Sequence, residues 1–271
     1  MTDVLIIGGG AAGLACAVTA AQRGLTVTVL ERMDRVGRKL LATGAGRCNL
    51  MNMEPAAYPR GGKFAEQVLS RCGPEEQTAF WRGLGLRLRR EEAGRVYPVT
   101  GQASSVLDAL RFACGRLGVT ILTDCRAAEI RRQGGLFVCL TEDGRSLKAR
   151  QLFLAAGGCA QSKLGSDGSG AALLKQLGHR VSSFRPVLTA LESEGRRLNG
   201  LSGLRLRAGV TVEAEGQVLH REDGEVLFTD YGVSGVCVMN CSGYLPEKGS
   251  ARLLLDVLPQ LGIASREEML R

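Results

Sequence analysis

Residues 4–22, VLIIGGGAAGLACAVTAAQ, carry no charged side chain and contain three consecutive glycines with a fourth at Gly13. Three readings compete for such a run: a secretory leader, a membrane helix and a nucleotide loop. A leader needs a positive segment ahead of its apolar core, and the only charge in Met1-Thr2-Asp3 is negative. A spanning helix needs about 20 predominantly apolar residues, and each interior glycine costs about 1 kcal/mol against alanine. The nucleotide loop meets neither objection. Val4 to Ile7 are bulky or β-branched and read as a buried strand, Ala11 to Arg23 favour a helix that Gly24 can cap, and Leu25 to Leu30 alternate as a second strand.

Between strand and helix lies Gly8-x-Gly10-x-x-Gly13. The three glycines serve a tight turn, close backbone approach to a pyrophosphate, and tight helix-to-strand packing. The amides of Ala11 and Ala12 open the helix and offer N–H groups and partial positive charge to the phosphates. Glu31 ends the second strand, where a carboxylate holds ribose hydroxyls and repels a 2′-phosphate, which favours FAD or NAD over NADP.

The next segment, ERMDRVGRKLLATGAGRCNLMN, is basic and rich in glycine. Arg35, Arg38, Lys39 and Arg47 lie among Gly37, Gly44 and Gly46, so the chain can fold back over a pyrophosphate. A solvated charged loop is the competing reading.

Here the sequence resembles a family of flavoproteins known as aminoacetone-oxidase-like or NAD(P)/FAD-dependent oxidoreductases, which includes a bacterial reductase of unsaturated keto bile acids. The resemblance rests on GGGAAG and the long block GRKLLATGAGRCN, and continues in GRVYPVTGQASSVLDAL, LFLAAGG, GSDGSGAALLKQLGH and GEVLFTDYGVSG. It implies an FAD-dependent oxidoreductase with a Rossmann-like FAD-binding domain, and it puts the backbone of Ala127 near the adenine. In the last block Asp230 stands where relatives frequently have histidine and Val236 where they frequently have proline.

Each block also has a reading from its residues. Ala103 to Leu117 is amphipathic, with Val106, Leu110, Ala113 and Leu117 on one face, and Val119 to Leu122 follow as a buried strand. Residues 125–150 read as a three-stranded meander with turns at Gly134-Gly135 and Asp143-Gly144. A separate strand, Gln151 to Ala155, then leads into Ala156-Gly157-Gly158, which lets the main chain pass close to the cofactor. Gly165, Ser166, Asp167, Gly168 and Gly170 form a second glycine-rich turn before a helix over Ala171 to Leu177, either aimed at the cofactor or a plain cap.

From about Pro186 the pattern becomes strand-like, with turns expected at Glu215-Gly216 and Asp223-Gly224. The expected organisation is an α/β fold: a Rossmann-like FAD-binding domain with a β-meander over 1–185, and an inserted β-rich substrate domain over 186–271. Tyr231, Ser234 and Asn240 could face a substrate, though ordinary loop or packing roles compete. Ser265 to Glu268 has capping-box spacing, so a helix is expected to begin there. Since family members continue further, the chain reads as C-terminally truncated, and as it stands it is expected to hold FAD weakly.

Composition narrows the alternatives. Nine cysteines without a CxxC pair, and only two histidines, argue against a disulfide framework or a metal site and fit a reducing, cytoplasmic setting. The net charge of +8 raises a polyanionic partner, but the basic residues are dispersed and aromatics make up only 4%, so the stacking platforms of single-strand binders are missing and nucleic acid is not the expected partner. The leading reading is hydride transfer between FAD and a small organic substrate, with NADH or NADPH as a possible donor. Gly8, Gly10 and Gly13 would bind pyrophosphate and Glu31 the ribose. Arg38, Lys39, Gly46 and Arg47 would meet phosphates or the flavin edge, and Cys48 and Asn49 the isoalloxazine ring. An NAD-dependent dehydrogenase without flavin and a flavin-bearing RNA-associated protein remain alternatives, and no catalytic acid or base is assigned.

Overall fold

The computed structural model describes residues 1–54, 58, 62–193 and 198–258. The described residues fall into two compact units, one within Met1–Ala56 and Glu66–Phe184, the other within Ala57–Ala65 and Arg185–Arg271. The expected helix start at Ser265 lies outside the described residues.

The first unit begins with β1 (Thr2–Ile7), α1 (Ala11–Gln22), β2 (Val27–Leu30) and α2 (Arg38–Ala42). β3 (Met51–Asn52), α3 (Gly62–Leu69, of which only Glu66 onward belongs to this unit), α4 (Pro74–Gly83), β4 (Leu88–Arg90) and β5 (Arg95–Pro98) follow. Then come α5 (Ala103–Arg116), β6 (Thr120–Leu122), β7 (Ala127–Gln133), β8 (Leu136–Thr141), β9 (Ser146–Leu154) and α6 (Ser169–Gln176). Six strands form one mixed sheet in the order β6-β2-β1-β9-β8-β7. β6, β2, β1 and β9 run parallel, while β8 and β7 extend the sheet as an antiparallel hairpin. β1 is central and buried on both faces, which explains its uninterrupted apolar run. Its alternate residues serve opposite layers: Val4 and Ile6 pack with Leu14, Val18, Val106 and Leu110 of α1 and α5, while Leu5 and Ile7 pack with Ile130, Cys139 and Leu173.

The structure modifies three sequence expectations in this unit. β9 is one strand rather than a meander arm followed by a separate strand: Ser146 to Ala149 pair with β8, and Ala149 and Gln151 to Leu154 pair with β1. No turn residue interrupts it, so a single strand serves both neighbours. Leu117 caps α5 and is partly exposed, leaving Val106, Leu110 and Ala113 as the buried stripe. β6 begins at Thr120 and is a partly exposed edge strand.

The second unit contains β10 (Leu191–Glu192), β11 (Arg205–Ala214), β12 (Gln217–Phe228), β13 (Gly232–Ser234), α7 (Val236–Ser242) and β14 (Arg252–Asp256). Its sheet is antiparallel in the order β10-β13-β12-β11-β14, with Val210, Val212, Val226, Phe228 and Val238 in its core. Glu215-Gly216 is the two-residue hairpin turn, with φ of 52° and 74°. Asp223-Gly224, expected as a turn, lies mid-strand opposite Gly209 and Ala208. The glycine serves packing there: a Cβ on Gly224 would lie 2.9 Å from Cβ of Cys237 on α7. Among the described residues, no helix is long and apolar enough to cross a membrane.

Candidate functional site

β1, β2 and β9 end together, and the loops leaving their C-terminal ends surround a cavity of about 310 Å³. From β1 the chain goes to β2 on one side, while β9 joins on the other, so the cavity lies at the switch point of the parallel strands. Gly8, Gly10, Ala11 and Ala12 line it from the first loop, Glu31 from the end of β2, and Arg38 and Lys39 from α2. Ala127, Ala156 and Gly157 also line it, as do Arg35 and Gly37 of the basic segment.

The first loop has the two steric properties that its spacing requires. A Cβ on Gly13 would sit 1.9 Å from the Gly8 carbonyl oxygen, so helix and loop touch through bare backbone. A Cβ on Gly10 would meet nothing within 4 Å, so the side of the loop that lines the cavity has room for a ligand. Gly10 is also the N-cap of α1, without a side-chain cap and without an acidic residue in the first turn. The first intrahelical bond runs from the Leu14 amide to the Gly10 carbonyl, so the amides before it have no acceptor within the helix. With the helix dipole they make a corner of positive potential that would suit an anion.

Glu31 is tied to this corner. Its Oε2 accepts the Gly9 amide at 2.9 Å and its Oε1 the Met33 amide at 2.9 Å. Each oxygen keeps acceptor capacity beyond these bonds, so the fixed carboxylate can also receive hydroxyl donors. Arg38 Nη1 pairs with Asp34 at 3.3 Å. Lys39 Nζ lies beside the Gly157 turn, 3.7 Å from the position a Cβ there would take.

The remaining sequence-selected residues do not line this cavity. Gly13 packs behind the loop, and Gly46 is exposed. Arg47 forms an ion pair with Glu91 and lies 4.1 Å over the Tyr97 ring. Glu91 also accepts Arg89 at 2.6 Å, and these bonds, that from Arg47 foremost, hold its carboxyl below the usual range. Cys48 is buried with φ of 57°, and burial pushes its thiol up. Asn49 adjoins Gly44 through its backbone, and Gly158 packs on the Phe184 ring.

Arg32, Met33 and Arg126 are among the cavity residues that sequence spacing does not single out. For Arg32 the available signal is its place directly after Glu31. Its Nη1 forms a 2.5 Å ion pair with Asp167 of the second glycine-rich turn. Asp167 also accepts the Ser169 amide at 3.0 Å, and through Gly165, Ser166 and Ser169 this turn forms a wall of the cavity.

In the second unit, Asn240 donates to Glu222 at 2.8 Å, Tyr231 is exposed and Ser234 half-buried. His220 stacks on Tyr244 with ring centroids 3.8 Å apart. Among the described residues, no group of three or more His, Cys, Asp or Glu could hold a metal ion.

Comparison with known proteins gives the chain its relatives. It is 36% identical over 270 residues to the 3-dehydro-bile acid delta(4,6)-reductase of Clostridium scindens, covering 96% of this chain and 66% of that protein. It is 29% identical to the ribosomal RNA dihydrouridine synthase of Haemophilus influenzae, covering 95% of this chain and 65% of that protein. With the Escherichia coli protein of the same name the identity is 30%, over 94% of this chain and 64% of the relative. The chain thus spans about two thirds of the length of these relatives. The model of the HI0933-like protein Rossmann domain matches residues 2–243, and the chain belongs to that family.

Proposed function

We propose that the protein is an FAD-dependent oxidoreductase, with a cofactor domain over 1–185 and a substrate domain over 186–271. The observation that carries this reading is the shared cavity of Gly10, with open space beside it, the uncapped start of α1, and the fixed carboxylate of Glu31. These residues fit the adenosine diphosphate half of a dinucleotide: the α1 amides suit the pyrophosphate, and Glu31 suits ribose hydroxyls. Lys39 and Arg38 add positive charge beside the same cavity, while Ala127, Ala156 and Gly157 offer backbone that leaves space for the ligand. When bound, FAD supplies hydride transfer. Arg47 has a different task on this reading: paired to Glu91 and stacked on Tyr97, it braces the loop that carries Cys48 and Asn49.

The names of the relatives favour one reaction class. A delta(4,6)-reductase and a dihydrouridine synthase both saturate a carbon–carbon double bond conjugated to a carbonyl, adding a hydride equivalent and a proton. We assign that class here, with a small enone as substrate and NADH or NADPH as donor. Six buried cysteines without disulfides suit a reducing, cytoplasmic setting. The test is anaerobic: the full-length protein is purified, its absorbance near 450 nm recorded, and bleaching by NADH and NADPH followed by reoxidation with a 3-oxo-4,6-diene steroid. Bleaching and reoxidation support the assignment; a colourless protein that reduces the enone directly with NADH supports a flavin-free dehydrogenase instead.

A second reading has its own support. The net charge of +8 and the likeness to two ribosomal RNA dihydrouridine synthases favour RNA as the substrate. RNA binding that weakens steeply with salt, together with dihydrouridine formation, would select it over the small enone.

A further inference from the structure

We propose that Arg32 is a recognition residue for the adenosine half of the dinucleotide, donating its Nε–H to a neutral acceptor there, a ribose oxygen or an adenine ring nitrogen, and that Asp167 positions it. This rests on the dinucleotide reading and extends it to a residue outside the glycine corner.

Three observations converge on Arg32. It lines the cavity directly after Glu31, and its side chain is 19% exposed. One end of its guanidinium is fixed by Asp167, across from the end of β2. Its Nε is buried and has no hydrogen-bond partner, the sole such side-chain nitrogen or oxygen among the described residues. A buried unpaired donor on a charged group is costly, and on a residue that lines the cavity it calls for an acceptor that the protein does not supply and that reaches it only if the side chain adjusts as a ligand enters.

The pairing also decides the type of acceptor. Asp167 already offsets the arginine charge, so the pair adds little net potential for a phosphate. Directional donation to an uncharged atom is what Nε–H can still provide. The surroundings keep the geometry fixed: Met33 packs on Gly165, with Cγ 3.2 Å from a Cβ position there, and Asp167 is itself held by the Ser169 amide. The end of β2 and the second glycine-rich turn therefore meet at two adjacent points, Met33–Gly165 and Arg32–Asp167.

The test measures ADP and FAD affinity of the full-length protein by calorimetry for wild type, Arg32→Met, Arg32→Lys and Asp167→Asn. Arg32→Lys keeps a cation facing Asp167 but removes Nε. Both Arg32 variants are expected to weaken ADP and FAD roughly ten- to hundredfold, the usual loss for a hydrogen bond to a charged group. The factor should be the same at 50 and at 500 mM salt, because a neutral acceptor is not screened. Asp167→Asn should give a smaller loss in the same direction. Melting without nucleotide checks the fold, and if Arg32→Met is destabilised, Arg32→Lys and Asp167→Asn decide. Wild-type affinity in Arg32→Lys would overturn the proposal, as would a loss that vanishes at high salt, which would mean a phosphate contact. Failure of the wild type to bind either nucleotide would instead overturn the dinucleotide reading on which the proposal rests.

Discussion

The carbonyl oxygen of Gly8 lies 1.9 Å from the position a Cβ on Gly13 would occupy, closer than any side chain tolerates. Gly13→Ala therefore forces α1 away from the loop at the centre of the first unit. The expected cost is about 1–3 kcal/mol, as for other overpacked sites. Denaturant unfolding without nucleotide measures it.

Gly10→Ala separates binding from stability. A methyl at Gly10 meets no protein atom within 4 Å. Unfolding should shift by less than about 1 kcal/mol, while ADP affinity falls at least tenfold because the methyl occupies ligand space. Unchanged affinity would show that the nucleotide does not approach this loop.

Arg47 is expected to behave as a brace. Removing it frees Glu91 and uncovers Tyr97. Arg47→Ala should lower the melting temperature by a few degrees and change ADP affinity less than twofold. A large loss of ADP affinity with unchanged melting would assign it to the phosphates.

Acid sensitivity follows from Asp167. The hydrogen bond from Arg32 holds its carboxyl well below the usual range, with the Ser169 bonds adding to the effect. A depressed carboxyl stabilises the fold fully above its unfolded value, near pH 4, and this contribution is lost as pH falls further towards its folded value. The stability gap between wild type and Asp167→Asn should thus be constant from pH 7 to about pH 5 and shrink below pH 4. Urea titrations across this range test it, and a gap that widens on acidification would contradict it.

Thiol labelling reads the packing directly. Cys72 and Cys159 are exposed, whereas burial pushes the thiols of Cys114, Cys139 and Cys241 up to about 11. Mass spectrometry after brief alkylation at pH 8 should find Cys72 and Cys159 modified first, with the three buried thiols protected until unfolding.

The sequence was most legible where one local rule acted alone. The βαβ unit was readable because an apolar run, three spaced glycines and a terminal acid agree, and the hairpin at Glu215-Gly216 because its turn chemistry is strong. Asp223-Gly224 misled for a tertiary reason: its glycine makes room for Cys237, which turn propensity does not register. The strands β3, β4, β5 and β14 are short and lack a clear alternating signal, so no local pattern marks them. In the cavity, Gly8, Gly10 and Glu31 follow from spacing, but Arg32 depends on Asp167, 135 residues away. No local pattern announces that pairing.

The most direct measurement is a crystal structure of the full-length protein with ADP or FAD. The pyrophosphate should lie at the Gly10, Ala11 and Ala12 amides, with ribose hydroxyls within hydrogen-bond distance of Glu31. A nucleotide bound away from this corner, or Glu31 bonded only to Gly9 and Met33 while the ribose points elsewhere, would contradict it.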